Sequence, residues 1–284
     1  MRFGYLGPEG TFSHQALLAA DPARDGDAVA LATLYDTVMA VQDREVDVAL
    51  VPIENSLEGS VDVTLDTLAT DAPDVTIVGE TVAEIRNCLI AATPLELATI
   101  ETVYSHPQPT AQCAHFLRSR LARAHVIPTA STAEAVRTVS ERPGAPLGAL
   151  GNRLAAALYG AQILLEDVDD HPGNQTRFVW LAHDGDADAA RARVGGGGAA
   201  KTSIVFWGAG DGTAGWLVSC LAELSAREIS LTRIESRPRR IGLGHYMFFA
   251  DFEGATDDPA VAAAVAGLRG RCQEVRVLGS YRSA

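Results

Sequence analysis

The chain has 284 residues, of which 47% are hydrophobic and 21% are charged, and its formal net charge is −13. This length favours two domains over one, and the apolar share excludes an intrinsically disordered chain. The negative charge opposes non-specific binding to nucleic acid or to an anionic membrane surface, although it permits a local cationic pocket.

The four cysteines, Cys88, Cys113, Cys220 and Cys272, are widely spaced and form no C-x-x-C pair. We therefore expect neither a disulfide framework nor a zinc site, and a reducing compartment fits this pattern better. The first residues lack the apolar segment of a signal peptide. The sequence contains no stretch of about 18 uncharged apolar residues, the length needed to cross a membrane. These features predict a cytoplasmic protein.

Short apolar runs alternate with helical patterns before residue 183. Strands are predicted at residues 3–6, 47–53, 75–82, 88–92, 102–105, 126–127, 148–150 and 178–181. Helices are predicted at residues 11–18, 35–42, 57–68, 109–122, 132–141 and 153–159. Strands separated by helices of this length are typical of an α/β domain with a parallel sheet. Periodicity leaves open whether this domain is one sheet or two smaller lobes with a cleft.

A flexible linker is predicted at residues 183–200, where small and polar residues lead into the glycine run 195–198 without an apolar period. After it, strands are predicted at residues 202–207, 229–236, 244–252 and 274–278. A helix is predicted at residues 214–228, and a second begins after Asp258 with Pro259 at its first position. The order βαββαβ is the ferredoxin-like arrangement.

Four segments carry more polar and glycine residues than packing requires: 7–13, 52–60, 105–112 and 174–178. Each lies at the end of a predicted strand, where open α/β sheets bind their ligands. Taken singly, these segments could be turns, helix caps or an ordinary ion pair at a strand end. Together their hydroxyls, amides and Arg177 suit one small anion, because a guanidinium binds a carboxylate with two parallel hydrogen bonds.

The chain resembles the prephenate dehydratase family. The similar segments are residues 4–13 and 51–61, Thr176-Arg177-Phe178, and Glu235-Ser236-Arg237-Pro238, all in collinear order. The resemblance implies that residues 1–182 form a catalytic domain of two α/β lobes like a periplasmic binding protein. It also implies that residues 183–200 are a linker and residues 201–284 an ACT regulatory domain, consistent with the βαββαβ pattern.

The activity implied by the resemblance is the decarboxylating dehydration of prephenate to phenylpyruvate in phenylalanine biosynthesis. Aromatisation drives this reaction, so we expect no cofactor and no metal. Thr176 matches the family's essential threonine and is expected to donate a hydrogen bond to the departing hydroxyl, with Arg177 on a substrate carboxylate. The predicted catalytic residues are Thr176, Arg177, Glu54 and Asn55. The predicted substrate-binding residues are Thr11, Ser13, Ser56 and Phe178.

Phenylalanine is the regulatory ligand that the resemblance implies, bound at a subunit interface of a dimer or tetramer. The predicted allosteric ligand-binding residues are Gly215, Trp216, Leu217, Val218, Glu235, Ser236, Arg237 and Pro238. We expect no nucleic acid or membrane partner. Trp216 replaces a small residue of the family's Gly-Ala-Leu-Val segment, which would narrow the pocket.

A second departure from the family is Asn87, which stands where the family usually has histidine; the neighbouring Arg86 could compensate electrostatically. Two other functions remain open from the sequence. One is arogenate dehydratase, which acts on a substrate with an amino-acid side chain in place of the pyruvyl group. The other is a non-catalytic protein that binds a small anion.

Overall fold

The computed structural model describes residues 1–20, 25–208 and 212–284, and its strands form two sheets before residue 184 and one after it. The first sheet contains β1 (Arg2–Leu6), β2 (Asp27–Leu31), β3 (Val48–Asn55), β4 (Gly59–Ser60), β5 (Val75–Glu84) and β11 (Gln175–His183). The second contains β6 (Cys88–Ala91), β7 (Thr102–Ser105), β8 (His125–Pro128), β9 (Leu147–Gly151) and β10 (Gln162–Leu165). The third contains β12 (Ala200–Trp207), β13 (Leu231–Pro238), β14 (Tyr246–Glu253) and β15 (Glu274–Arg282).

The helices cover the faces of these sheets. They are α1 (Phe12–Ala19), α2 (Leu34–Gln42), α3 (Asp62–Thr70), α4 (Pro107–Gln112), α5 (Ala114–Arg120), α6 (Thr132–Ser140), α7 (Arg153–Leu158), α8 (Ala187–Val194), α9 (Trp216–Ser225) and α10 (Pro259–Arg269). Among the described residues, every helix is too short or too polar to cross a lipid bilayer.

The first two sheets form two lobes, which decides between the alternatives that periodicity left open. The strand order is β2-β1-β3-β11-β5 in the first lobe and β10-β6-β9-β7-β8 in the second. The chain crosses between the lobes after β5 and returns before β11. The chain leaves the first lobe at the carboxyl end of β5 and re-enters it at the same end of the sheet. The strand β11 therefore runs antiparallel to both its neighbours, β3 and β5. The prediction of a parallel sheet therefore holds only in part: β1 pairs in parallel with β2 and β3, and the antiparallel β11 makes the sheet mixed.

Local patterns missed three strands, β2, β4 and β10, and misplaced two helices. The strand β2 was missed because its side chains are largely exposed, so no buried apolar run marks it, and β10 was missed as well. The helix predicted at 57–68 begins only at Asp62, after the short strand β4. The helix predicted at 109–122 is two helices, α4 and α5, which meet at Cys113.

The segment predicted to be a flexible linker contains the helix α8. Its residues Ala187, Ala190 and Val194 pack against Val78 and Trp180 of the first-lobe sheet. The prediction of a flexible linker is therefore wrong over these residues. The apolar face of this helix consists mainly of alanines. Because alanine is also common in exposed connections, the composition of the segment did not reveal that it packs on the sheet.

The C-terminal domain has the predicted order βαββαβ, with sheet order β13-β14-β12-β15. One face of its sheet packs against α9 and α10. The opposite face contributes Val205, Phe249 and Leu278 to a core shared with Ile77 and Val179 of the first lobe. This sheet therefore lies directly against the first lobe, on the side of β5 and β11.

Candidate active site

A cleft of about 570 Å³ lies between the two lobes, where the polar segments singled out in the sequence meet. Its polar lining residues are Thr11, Ser13, Asn55, Glu58, Ser60, His106, Gln108, Gln112, Ser131, Thr132, Glu134, Arg137 and Thr176. Apolar surface is added by Leu6, Phe12, Leu34, Val61, Ile85 and Phe178, among others. Ligand sites commonly combine an apolar lining with a few placed polar groups.

The hydroxyl of Thr176 and the amide of Asn55 are paired in this cleft. They face each other on the neighbouring strands β11 and β3, and the Asn55 Nδ2 donates to Thr176 Oγ1 at 2.9 Å. The Asn55 Oδ1 accepts the backbone N–H groups of Leu57 at 2.9 Å and Glu58 at 3.1 Å, which fixes the orientation of the amide. Because Thr176 Oγ1 accepts this hydrogen bond, its own O–H is left to donate into the cleft.

The loop after β1 contributes the amino-terminal end of α1. Thr11 caps this helix by accepting from the His14 backbone N–H at 3.3 Å, and its hydroxyl donates to the Leu6 carbonyl at 2.8 Å. Ser13 lines the cleft beside it. Thr11 therefore uses its hydroxyl to shape the loop, and the positive end of the helix dipole lies at the cleft.

Two histidines hold loops of the cleft by accepting backbone N–H groups at Nδ1. His14 accepts from Gly10 at 3.1 Å, and His106 accepts from Gln108 at 3.3 Å. Burial lowers the pKa of both rings, against a smaller opposing influence of a nearby glutamate. Both rings are thus held neutral, with the remaining proton on Nε2.

The amino-terminal turn of α6 forms the facing wall in the second lobe. Ser131 accepts from the Glu134 backbone N–H at 3.0 Å, and Glu134 accepts from the backbone N–H of Ala130, the residue before the N-cap, at 2.8 Å. These two hydrogen bonds fix the start of the helix. Arg137 lies one turn further along and lines the cleft. Among the described lining residues it is the single arginine or lysine. The sequence carries no sign of this role, because a ligand-binding arginine on a helix has the same local pattern as an arginine that only faces solvent.

The predicted contact of Arg177 with a substrate carboxylate is not what the structure shows. Successive side chains of a strand point to opposite faces, so Thr176 and Phe178 line the cleft and Arg177 points away from it. The Arg177 guanidinium lies instead among carboxylates, 2.6 Å from Asp251 and 3.3 Å from Glu54. Arg177 and Glu54 are therefore both displaced from the predicted substrate site.

Ser56 is also removed from the cleft. Its hydroxyl donates to the Asn174 Oδ1 at 3.3 Å and accepts from the Gln175 backbone N–H at 2.9 Å. Asn55 Nδ2 donates to the same Asn174 oxygen at 2.8 Å. Ser56 therefore holds the turn that precedes β11, which corrects the expectation that it binds substrate.

Asn87, the departure from the family pattern, ties the two crossings between the lobes together. It is fully buried, and its backbone and side-chain nitrogens donate to the two carboxylate oxygens of Asp169 at 2.7 and 2.6 Å. Burial raises the pKa of Asp169, while the Asn87 hydrogen bonds act in the opposite direction. Arg86 is half-exposed, pairs with Glu84 and Asp167 and is not among the residues that line the cleft. Electrostatic compensation by Arg86 stays a prediction.

Among the residues that the structure describes, two side-chain hydrogen bonds join the lobes across the cleft. Gln112 Nε2 of the second lobe donates to Glu58 Oε1 of the first at 2.8 Å. The Tyr159 hydroxyl of the second lobe donates to the Glu9 carbonyl of the first at 2.8 Å. The two lobes are therefore in direct contact at both of these points. The polar segments 7–13, 52–60 and 105–112 contained three of these four residues, but local sequence could not pair them.

A second cavity, of about 190 Å³, lies in the C-terminal domain. It is lined by the predicted residues Gly215, Trp216, Leu217 and Val218, together with Thr213, Gly244, Tyr246 and Phe248. The Trp216 ring packs against Phe206 and Phe248, and its Nε1 donates to the Arg271 carbonyl at 2.9 Å. Trp216 thus fills volume beside the cavity.

The segment Glu235-Ser236-Arg237-Pro238 lies outside this cavity. Glu235 accepts from the Ser60 hydroxyl at 2.7 Å, and Arg237 pairs with Asp66 of α3 at 2.9 Å. The charged residues of the segment thus contact the first lobe. The prediction that all eight residues form one ligand site is not met within a single chain, because β13 and the start of α9 face different neighbours.

Comparison with known proteins agrees with this geometry. The family model for prephenate dehydratase matches residues 3–186. The prephenate dehydratase of Mycolicibacterium vanbaalenii is 38% identical over 98% of this chain and 89% of its own length. That of Bacillus subtilis is 35% identical over 100% of this chain and 99% of its own length.

Among solved structures, the prephenate dehydratase of Arthrobacter aurescens in complex with L-Phe superposes with a TM-score of 0.86. It is 34% identical and covers 99% of this chain and 90% of its own. Sequence, family model and fold therefore lead to one assignment. The chain belongs to the prephenate dehydratase family.

Proposed function

We propose that the cleft converts prephenate to phenylpyruvate and that Thr176 is the hydrogen-bond donor to the departing hydroxyl. The ring carboxylate leaves as CO₂, and its electron pair moves through the ring diene to expel the C4 hydroxyl, which takes up a proton and leaves as water. The observation that carries this assignment is the Asn55 hydrogen bond to Thr176 Oγ1 at 2.9 Å. Because Thr176 Oγ1 accepts from the Asn55 amide, its O–H cannot donate to that nitrogen and is left to donate into the cleft.

A threonine hydroxyl is a weak free acid, so its role is to stabilise a nascent hydroxide or to relay a proton to it. Rigid placement then matters more than acidity, because proximity and orientation supply much of such a rate enhancement. Thr176 is buried and held by Asn55, whose amide is itself fixed by two backbone N–H groups. Aromatisation of the ring supplies the driving force.

The substrate is a dianion, and the protein's net charge of −13 would repel it. Arg137 supplies a positive charge in the cleft, on the wall opposite Thr176. The amino-terminal ends of α1 and α6 add the positive ends of two helix dipoles. We assign one substrate carboxylate to Arg137, the role predicted from sequence for Arg177.

Turnover by the Thr176→Val variant tests this function. The change removes the donor and keeps the side-chain shape, so kcat should fall by about 10²–10⁴-fold. Phenylpyruvate formation is followed by its ultraviolet absorbance in base, with prephenate and arogenate offered in parallel to wild-type protein. Thr70→Val, at the exposed end of α3, is the matched control. Near-normal turnover by Thr176→Val would remove Thr176 from the mechanism, and preference for arogenate would reassign the substrate.

The C-terminal domain is, in this proposal, an ACT regulatory domain that binds phenylalanine. Its βαββαβ order and its cavity lined by Leu217, Val218 and Phe248 support this, as does the relative whose structure contains L-Phe. Titration calorimetry with phenylalanine, tyrosine and tryptophan tests it. Absence of binding at millimolar concentration would contradict the regulatory assignment.

Self-association of the chain through this domain is part of the same proposal. Val218, Ile241 and Leu243 are apolar and exposed by 70%, 63% and 102% respectively. Exposed apolar groups of this kind are typical of interfaces. Sedimentation of wild-type protein and of Leu243→Asp tests the association: the variant should dissociate, and an oligomer of unchanged size would place the interface elsewhere.

A further inference from the structure

A cluster of charges, largely buried except at Glu54, lies behind the cleft, where the C-terminal domain packs on the first lobe. The first lobe contributes Glu54, Glu80 and Arg177, and the C-terminal domain contributes Lys201, Arg233 and Asp251. The cations and anions of this cluster balance. Buried charges are tolerated only when they are paired in this way.

Arg177 is at the centre of the cluster. Its side chain is 12% exposed, and its Nη2 lies 2.6 Å from the Asp251 Oδ2, whose side chain is 3% exposed. Its Nε lies 3.5 Å from Glu80 and its Nη1 3.3 Å from Glu54. Burial, the largest single influence, would lower the pKa of Arg177, but the combined effects of Asp251, Tyr281 and Glu80 outweigh it, and the pKa lies above its ordinary value. The shortest of these contacts joins Arg177 to the C-terminal domain.

The two strands that carry the cluster also carry the proposed donor. In the pairing of β11 with β3, Thr176 faces Asn55 and Arg177 faces Glu54 on the next rung. The first pair lines the cleft and the second points to the C-terminal domain, because strand side chains alternate between faces. The C-terminal domain thus binds the back of the strand pair whose front presents the Thr176 hydroxyl.

A second contact joins the C-terminal domain to the cleft. Ser60, which lines the cleft, donates to Glu235 Oε2 at 2.7 Å and accepts from Arg233 Nη2 at 2.5 Å. Arg233 in turn lies 3.8 Å from Glu54, the partner of Arg177. The charges behind the cleft and one of its lining hydroxyls therefore form a continuous set of contacts.

We propose that Arg177 is a positioning residue: held by Asp251, it fixes the rung of Thr176 and Asn55 and thereby couples the C-terminal domain to the reaction. The proposal rests on the function assigned to Thr176 above. A substrate-binding role is disfavoured because the guanidinium faces away from the cleft and is already surrounded by three carboxylates.

The experiment compares kcat and KM for prephenate in Asp251→Asn, Arg177→Gln and the double variant, with thermal unfolding recorded for each. Displacement of a reacting group by about 1 Å can cost about 10²-fold in rate, so we expect each single variant to lower kcat by about tenfold or more. KM should stay within about twofold of wild type, because neither side chain reaches substrate. The double variant should be no slower than Arg177→Gln, since both changes break one contact.

Arg276→Gln is the matched control. Arg276 also joins the C-terminal domain to the first lobe, but it binds the carbonyls of Leu68 and Ala72 at the far end of the interface. Its kcat should remain near that of wild type. An equal loss of kcat in this control would overturn the proposal, because domain docking in general would then explain the effect.

A raised KM in Arg177→Gln with normal kinetics in Asp251→Asn would also overturn it, by showing that Arg177 binds substrate. Should Arg177→Gln fail to fold, Asp251→Asn beside Arg276→Gln decides the matter: a kcat loss confined to Asp251→Asn supports the proposal, and wild-type kcat contradicts it. Failure of the wild-type protein to act on prephenate is a different result, which would refute the proposed function itself.

Discussion

The Asn55 amide donates to the Thr176 hydroxyl oxygen at 2.9 Å, across the first pair of residues between β11 and β3. This contact sets the direction of the Thr176 proton, because the Asn55 carbonyl oxygen is already occupied by the backbone N–H groups of Leu57 and Glu58. In the proposed function, a donor at position 55 is therefore needed to orient the Thr176 hydroxyl.

Replacing Asn55 by aspartate should reverse this hydrogen bond. A carboxylate has no proton to donate, so Thr176 would donate to residue 55 and present no proton to substrate. We expect Asn55→Asp to lower kcat by about 10²-fold or more, measured by phenylpyruvate absorbance. Gln162→Glu, the same amide-to-carboxylate change at an exposed position of β10, is the control, since a carboxylate at the surface remains hydrated. Unchanged kcat in Asn55→Asp would refute the orienting role.

Neutralising Arg137 should weaken substrate binding more than catalysis. A hydrogen bond to a charged group contributes about 1.5–3 kcal/mol, so Arg137→Gln should raise KM for prephenate about 10–100-fold, with a smaller change in kcat. The raised KM should also depend less on salt than that of wild type, because the screened charge is gone. Arg118→Gln, at the exposed end of α5, should behave as wild type. A KM equal to that of wild type in Arg137→Gln would contradict the assignment.

Removing the Tyr159 hydroxyl should favour separation of the lobes. Tyr159→Phe loses the hydrogen bond to the Glu9 carbonyl, whose net contribution is about 0.5–1.5 kcal/mol. KM should therefore rise about 2–10-fold, as fewer molecules hold the lobes together. Tyr104→Phe removes a hydroxyl that accepts from Arg142 within the second lobe and serves as control. Equal effects of the two changes would argue against an interlobe role.

The lowered pKa values of the two buried histidines imply that the free energy of unfolding depends on pH. Burial lowers the pKa of His14 and of His106 below the ordinary value of 6.5, so the unfolded chain binds more protons than the folded one just below that pH. The free energy of unfolding should therefore be constant above about pH 6.5 and decrease as pH falls towards the folded-state pKa values. Urea unfolding between about pH 8 and pH 5 measures this.

A variant with His14→Gln and His106→Asn should lose less stability over the same range, because neither replacement titrates. The exposed His125, changed to asparagine, is the control. If the free energy of unfolding of the double variant falls with pH as steeply as that of the wild type, groups other than these two histidines cause the loss of stability at low pH.

The secondary structure of the C-terminal domain followed from local patterns. Strands β12 and β14 are apolar runs with aromatic residues, and α10 starts at Pro259 after Asp258. The edge strand β2 escaped detection because its side chains are mostly exposed. The helix α8 escaped because packing on Val78 and Trp180, far away in sequence, stabilises a segment with little apolar pattern of its own.

Sequence alone placed Phe178 at the start of a strand, with Thr176 and Arg177 immediately before it. The structure begins that strand, β11, at Gln175, so neighbouring side chains from Thr176 onwards point to opposite faces. Only the tertiary structure decided that Thr176 and Phe178 line the cleft while Arg177 meets Asp251. The physical reason is that alternation is a local property of the backbone. The occupant of each face is set by long-range packing, here of the second lobe on one side and the C-terminal domain on the other.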